Sequence, residues 1–300
     1  MKGSALTLLM AAIVTGSSAV YGDDAMVLDA GMLRFDVAAA VGFVHKGWDG
    51  EGRKADAPDA MIIGAAPGIA YGFTGWFTAA FDWDPGVTDT DLAGIDIVSD
   101  GNGEAEIYEG LSDFSLRAQF QIIGKNAPVL SERFRMRLTP GMVIPFPGIN
   151  DQDSLGNHSW GMVGDVSFDA LMANNFFANV FGKVYWFPFD NKSGTSNEWE
   201  FVLEAGPHYA VPVGSTRLAF ALPLNWKRSL GNDESILGGG VSSHLLAIRP
   251  SMELKLTRPI SINIGIEYTL PLYGKNNYAA HTITIKAPVY FNFAKNKGEQ

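Results

Sequence analysis

The chain contains no cysteine among its 300 residues. A disulfide framework and thiolate metal or redox sites are excluded at once. Long apolar runs are also missing. Beyond the N-terminal segment, no stretch approaches the roughly 20 consecutive apolar residues that a membrane helix needs. Positive charge is in deficit too: the formal net charge is −10. That balance disfavours a nucleic-acid partner, because phosphates are neutralised by Lys and Arg. Against these absences, hydrophobic residues make up 47% of the chain and aromatic residues 12%. High apolar content without apolar runs means dispersed hydrophobicity, which strands with two unlike faces produce.

The first residues are a separate object. Lys2 precedes an apolar stretch, Ala5–Val14, and small residues follow at Ser17-Ser18-Ala19 and Val20-Tyr21-Gly22, ahead of Asp23-Asp24. Charge, apolar core and small-residue site in that order predict a cleaved signal peptide over residues 1–22. Residues 23–300 then form one exported domain with no visible linker or internal repeat.

From Gly31 onward the period is two. Leu33, Phe35, Val37, Ala39, Val41 and Phe43 oppose Arg34, Asp36, Ala38, Ala40 and Gly42. The same alternation recurs at Phe114–Ile122, at Arg133–Leu138, and at Ile260–Leu270. It returns near the C-terminus, where Ile283, Ile285, Val289, Phe291 and Phe293 oppose Thr282, Thr284, Lys286, Tyr290 and Asn292. Runs of about ten alternating residues exceed an ordinary globular strand and suit a tilted membrane-spanning one. Further strands are expected at 61–71, 76–83, 160–172, 176–187, 198–209, 216–228 and 243–256. The fold class predicted is all-β: a transmembrane, antiparallel, up-and-down β-barrel of about twelve strands.

The connections carry a second signal. Long ones (45–60, 84–112, 145–159, 188–197, 229–241 and 271–280) alternate with mostly short ones (73–75, 173–175, 211–215 and 257–259). Outer-membrane barrels have short periplasmic turns and longer external loops, so the termini are expected in the periplasm. Trp83, Trp160, Trp186, Trp199 and Trp226 then fall near external strand ends, with Trp76, Phe134, Phe176 and Tyr209 near periplasmic ends, as two aromatic girdles. A soluble β-sandwich would have shorter strands, with aromatics toward their centres.

On this parity the inward face holds the charge. Arg117, Arg133, Arg135 and Arg137 form a basic ladder, with Lys183, Arg217 and Lys227 also inward, opposite Asp165, Asp169, Glu200, Glu204 and Glu267. Such a face either builds a transverse field that selects solutes or pairs across a narrow lumen and fills it. The connection 84–110 is acidic (Asp84, Asp89, Asp91, Asp96, Asp100, Glu104, Glu106 and Glu109) and has no Lys or Arg. It is a solvated loop or a divalent-cation site at the rim; Asp100–Glu104 lacks the distal bidentate Glu of a calcium-binding EF-hand.

Catalytic machinery is not evident. His158 and Ser159 are sequence neighbours, yet adjacent strand residues point to opposite faces and make a poor dyad. No phosphate-binding glycine loop is present. The chain reads as a non-enzyme without cofactor.

Some runs resemble a known family. Pro67–Trp76 (Pro-Gly-Ile-Ala-Tyr-Gly-Phe-Thr-Gly-Trp) resembles a hairpin of the MetA-pathway phenol-degradation family. Gly110-Leu111-Ser112-Asp113-Phe114 is similar to that family's strand opening, and Leu138-Thr139-Pro140-Gly141 to its following stretch. Phe73 and Gly75 stand where the family often carries Leu and Asp, and no terminal Phe closes the chain. The resemblance implies an outer-membrane channel for small, often apolar or aromatic, molecules.

The sequence thus predicts an outer-membrane channel passing small solutes, with the bilayer and lipopolysaccharide-type lipids as surroundings. The alternatives are a non-conducting barrel that uses its external loops for partners, and a lipid-modifying barrel enzyme. Oligomeric state is not encoded in any feature of the pattern.

Overall fold

The computed structural model describes residues 25–65, 67–82, 93–99, 105–110, 113–145, 159–189, 198–213, 216–230, 242–256 and 261–293. The expected signal peptide lies outside the described residues. Antiparallel ladders join twelve strands into one closed barrel. In chain order β1 is Met32–Asp36 with Ala38–Trp48, β2 Lys54–Ala65 with Gly68–Thr74, and β3 Phe77–Asp82 with Ala93–Ser99. Then come β4 (Ala105–Gly110 with Phe114–Gly124), β5 (Phe134–Ile144), β6 (Gly161–Ala173), β7 (Phe176–Phe187) and β8 (Glu198–Val213). The last four are β9 (Thr216–Ala221 with Leu224–Leu230), β10 (Ser242–Ile248 with Ser251–Leu256), β11 (Ser261–Lys275) and β12 (Asn277–Tyr278, His281–Lys286 and Val289–Asn292). Closure comes from β12 pairing with β1, from Phe43↔His281 to Met32↔Asn292. No sheet edge is left there for another chain to add to.

Which residues are buried fixes the solvent on each side. Leu116, Leu138, Ile266 and Ile285 are 46%, 45%, 45% and 53% exposed, while their chain neighbours Ser115, Thr139, Glu267 and Thr284 are buried. A water-soluble protein shows the reverse. Apolar outside and polar inside is the pattern of a barrel whose outer wall meets lipid. An arginine at Ile285, in the middle of β12, is therefore expected to cost about 2–4 kcal/mol, against about 0–1 at the end-of-barrel Phe293. Urea unfolding in bilayers of Ile285→Arg and Phe293→Arg measures the contrast; equal costs would mean that the outer wall does not face hydrocarbon.

Local sequence explains the ends. At the β6–β7 turn, Asn174-Asn175 supplies a tight hairpin, with Asn175 at φ 63°, a left-handed conformation that Asn tolerates. Rings mark both rims: Trp186 stacks on Trp199 at 5.5 Å at the loop end, and Phe77 on Phe120 at 5.1 Å at the turn end. Trp83 lies outside the described residues.

Three connections expected as long loops contain paired strand. Between β1 and β2 the ladder continues through Lys46↔Asp56 and Trp48↔Lys54. The turn itself is closed by the Asp49 carboxylate, which accepts from the backbone N–H groups of Glu51 and Arg53 at 2.9 Å each. Those donors hold the Asp49 carboxyl below the ordinary carboxylate range. Within 84–112, Ala93–Ser99 and Ala105–Gly110 pair with each other. Within 271–280, β11 runs on to Lys275. The reason is common to all three: a ladder zips until turn residues stop it, and membrane exit does not stop it. The side chains of the acidic stretch lie outside the described residues.

Candidate functional site

Alternation delivers one polar side chain in two to the lumen, and strands β3 to β6 and β8 to β12 contribute to two buried ionic networks. In the first, Asp82 of β3 accepts from Arg117 Nε at 3.1 Å and also pairs with its Nη2. Asp165 of β6 sits between two guanidiniums, 3.7 Å from Arg117 Nη1 and 3.4 Å from Arg137 Nη2. Gly141 of β5 makes this possible: a Cβ there would come within 2.7 Å of the Arg117 side chain. Beside this network, Lys183 of β7 lies over the Tyr185 ring at 4.5 Å, and Asn179 donates to Asp169.

The second network lies on the other wall. Glu204 of β8 accepts from Asn225 of β9 at 3.0 Å and from Arg249, between the two segments of β10, at 3.2 Å. Arg249 also pairs with Glu267 of β11, which accepts from Lys286 of β12 at 2.8 Å. In each network two carboxylates pair with two cations. Buried ions are tolerable only when paired and hydrogen-bonded in this way, since desolvation costs several kcal/mol per ion.

Toward the loop end the inward side chains become apolar. Val143, Val163, Tyr185 and Phe187 form one buried cluster, and Trp48, Leu245 and Ala279 another. Gly161 admits Phe187, whose ring a Cβ at that position would meet at 2.6 Å.

Toward the turn end the lumen holds the chain's own N-terminal segment. Ala25 N–H donates to Asp169 Oδ2 at 2.9 Å, and the Ala25 carbonyl accepts from Gln121 Nε2 at 3.0 Å. Leu28 N–H donates to Thr78 Oγ1 at 2.9 Å, and the Leu28 side chain packs on Ala70 and Ala80. Gly31, at φ 77°, then turns the chain into β1 while its N–H donates to the Gly72 carbonyl at 2.8 Å. Small inward residues on β2 and β3 (Ala70, Gly72 and Ala80) make the groove that the segment occupies. Under the ionic networks, and beside this segment, lies a cavity of about 470 Å³. Met26, Val27, Leu28 and Asp29 form one side of it; Arg34, Arg135, Arg217, Lys255, Phe177 and Tyr290 form others.

The residues singled out from sequence separate into groups. Arg117, Arg137, Asp165, Asp169, Lys183, Glu204 and Glu267 are buried on the inward wall. Arg135 lines the cavity with its guanidinium 5.3 Å from the Phe177 ring, and Arg217 lines it from a more exposed position. Glu200 and Lys227 are half-buried in the loop-end halves of β8 and β9. Arg133 departs from expectation. It precedes β5 in an exposed turn, where the Ser131 hydroxyl accepts from the N–H groups of Arg133 and Phe134. The turn, which parity cannot register, ends the alternation one residue early. Nor is there one arginine ladder, because register sets Arg117 opposite Gly141 and Gln121 opposite Arg137.

Parity in the sequence also points Arg249 inward but does not show it as the bridge between Glu204 and Glu267, and sequence reasoning missed the lumenal segment entirely. The segment has no periodicity of its own. The signal that marks it is the run of small inward residues across the wall. Among the described residues no group of His, Asp and Glu could hold a metal ion.

A closed, inside-out barrel with short turns at one end is an outer-membrane β-barrel, and the chain belongs in that membrane. Its fold is similar to that of the COG4313 outer membrane channel from Pseudomonas putida F1, with a TM-score of 0.64 and 13% identity over 90% of this chain and 98% of that one. The NanC porin aligns at a TM-score of 0.44 and 11% identity, over 86% of this chain and 98% of that one. The outer membrane channel DcaP of Acinetobacter baumannii aligns at 0.30 and 10%, over 88% and 100%. No family model and no curated protein match the chain.

Proposed function

We propose that this chain is an outer-membrane channel for passive passage of small molecules, narrowed by its own N-terminal segment. The observation that carries the reading is the lumen: charged, closed to lipid, and widening beside Ala25–Gly31 into a cavity of about 470 Å³. A cavity of that size is within the range of small-molecule sites. The fold likeness to a channel from Pseudomonas putida F1 supports it. The motif resemblance at Pro67–Trp76 and Gly110–Phe114 adds the finer suggestion of membership in the phenol-degradation family and of apolar or aromatic solutes. Swelling of liposomes loaded with the purified protein tests the reading with solutes of graded size. Uptake is expected for the smallest and to fall away steeply; absence of uptake for every solute contradicts it.

A second reading, a barrel that does not conduct, is favoured by one observation. The two ionic networks and the apolar clusters at Phe187 and Trp48 fill much of the lumen. The same swelling experiment separates the two.

Signal-peptide removal near Gly22 belongs with the proposal. Ala25, three residues beyond that site, is fully buried with its N–H on Asp169. Intact-mass measurement of the protein from outer membranes is expected to give a chain that starts at Asp23. A mass that includes residues 1–22 would contradict it.

A further inference from the structure

The turn-end cavity is lined by more cations than carboxylates. Arg34 is paired with Asp36 at 2.8 Å. Arg117, Arg137 and Lys286 are held by carboxylates of the two networks. Three lining cations remain, Arg135, Arg217 and Lys255, against two remaining lining carboxylates, Asp29 and Glu253. Among the described residues none of those three cations makes a salt bridge: Arg135 rests on the Phe177 ring and Lys255 on the Tyr290 ring, 5.9 Å away.

Register sharpens the point. Arg217 of β9 and Lys255 of β10 are direct cross-strand partners. Like charges placed opposite one another destabilise a ladder, and a pair facing one cavity is relieved by an anion between them. The same cavity offers apolar surface from Leu28, Phe177 and Tyr290. Cations and rings that line one cavity are complementary to a carboxylate on an apolar body.

We propose that this cavity is a binding site for a small organic monocarboxylate, its charge on Arg217 and Lys255 and its body against the rings and the N-terminal segment. The proposal rests on the channel reading for its purpose, as the class of solute that the channel takes, but not for its test. Calorimetric titration of the full-length protein in detergent uses benzoate as the probe. Benzyl alcohol serves as its uncharged counterpart, and acetate and inorganic phosphate as charge without the body.

Saturable one-to-one binding of benzoate is expected, at least tenfold tighter than any of the other three. The Arg217→Gln/Lys255→Gln double variant should lose at least tenfold in benzoate affinity. Relief of the like-charge pair should leave its unfolding midpoint without ligand no lower than that of the unmodified protein. Absence of saturable benzoate binding overturns the proposal, as does equal affinity for phosphate or acetate, or unchanged affinity in the double variant. Binding without solute passage would leave the site standing and sink the channel; passage without binding would do the opposite.

Discussion

Valine in place of Gly72 is expected to raise single-channel conductance severalfold by expelling the N-terminal segment from the lumen. Gly72 faces inward, and the backbone of Leu28 and Asp29 runs so close that any Cβ at this position would collide with it. The collision is with main chain, so no side-chain rotation relieves it. Among the described residues the segment's hydrogen-bonded anchors are Ala25 on Asp169 and Gln121, Leu28 on Thr78, and Gly31 on the Gly72 carbonyl. At about 0.5–1.5 kcal/mol net for each hydrogen bond, a backbone clash competes with all of them together. The wall strand has no such freedom, since β2 is laddered on both sides. Phe73→Val is the control, because Phe73 is its neighbour and faces outward. Planar-bilayer recording of both variants checks it; equal step sizes would mean that the segment does not limit passage.

Glutamine in place of Glu267 is expected to destabilise the barrel by about 3–5 kcal/mol, the usual cost of stranding a buried charge. Glu267 is shared by Arg249 and Lys286, and all three are largely buried. Removing the carboxylate's charge takes away the anion that Arg249 and Lys286 share, while the Glu204 carboxylate still pairs with Arg249. Adding Lys286→Gln should recover most of the loss, because Arg249 then keeps Glu204 and the second cation that shared Glu267 is gone. Urea unfolding of the single and double variants measures both. A double variant no more stable than the single one would show that Lys286 is not the stranded group.

The wall was largely legible in the sequence, and the lumen only partly. Two-residue alternation places Leu138 outside and Thr139 inside with no tertiary information, because the pleat itself sets the period. Loop length gave topology for the same local reason. Partner choice across the lumen is another matter. That Arg117 meets Asp82 and Asp165, rather than standing in a column with Arg135, depends on strand register and on Gly141 leaving space. Neither is visible in parity. Arg133 fell to a turn because Ser131 captures its N–H, a local competition that alternation ignores. The N-terminal segment was least legible, since its fixed place comes wholly from groups on other strands, Thr78, Gln121 and Asp169.

Current through the unmodified protein in a planar bilayer tests the central claim most directly. Discrete, small steps are expected, and they should grow when residues 25–28 are deleted from the mature chain. A folded, heat-modifiable barrel that passes no current in either form would contradict a channel held narrow by its own N-terminal segment.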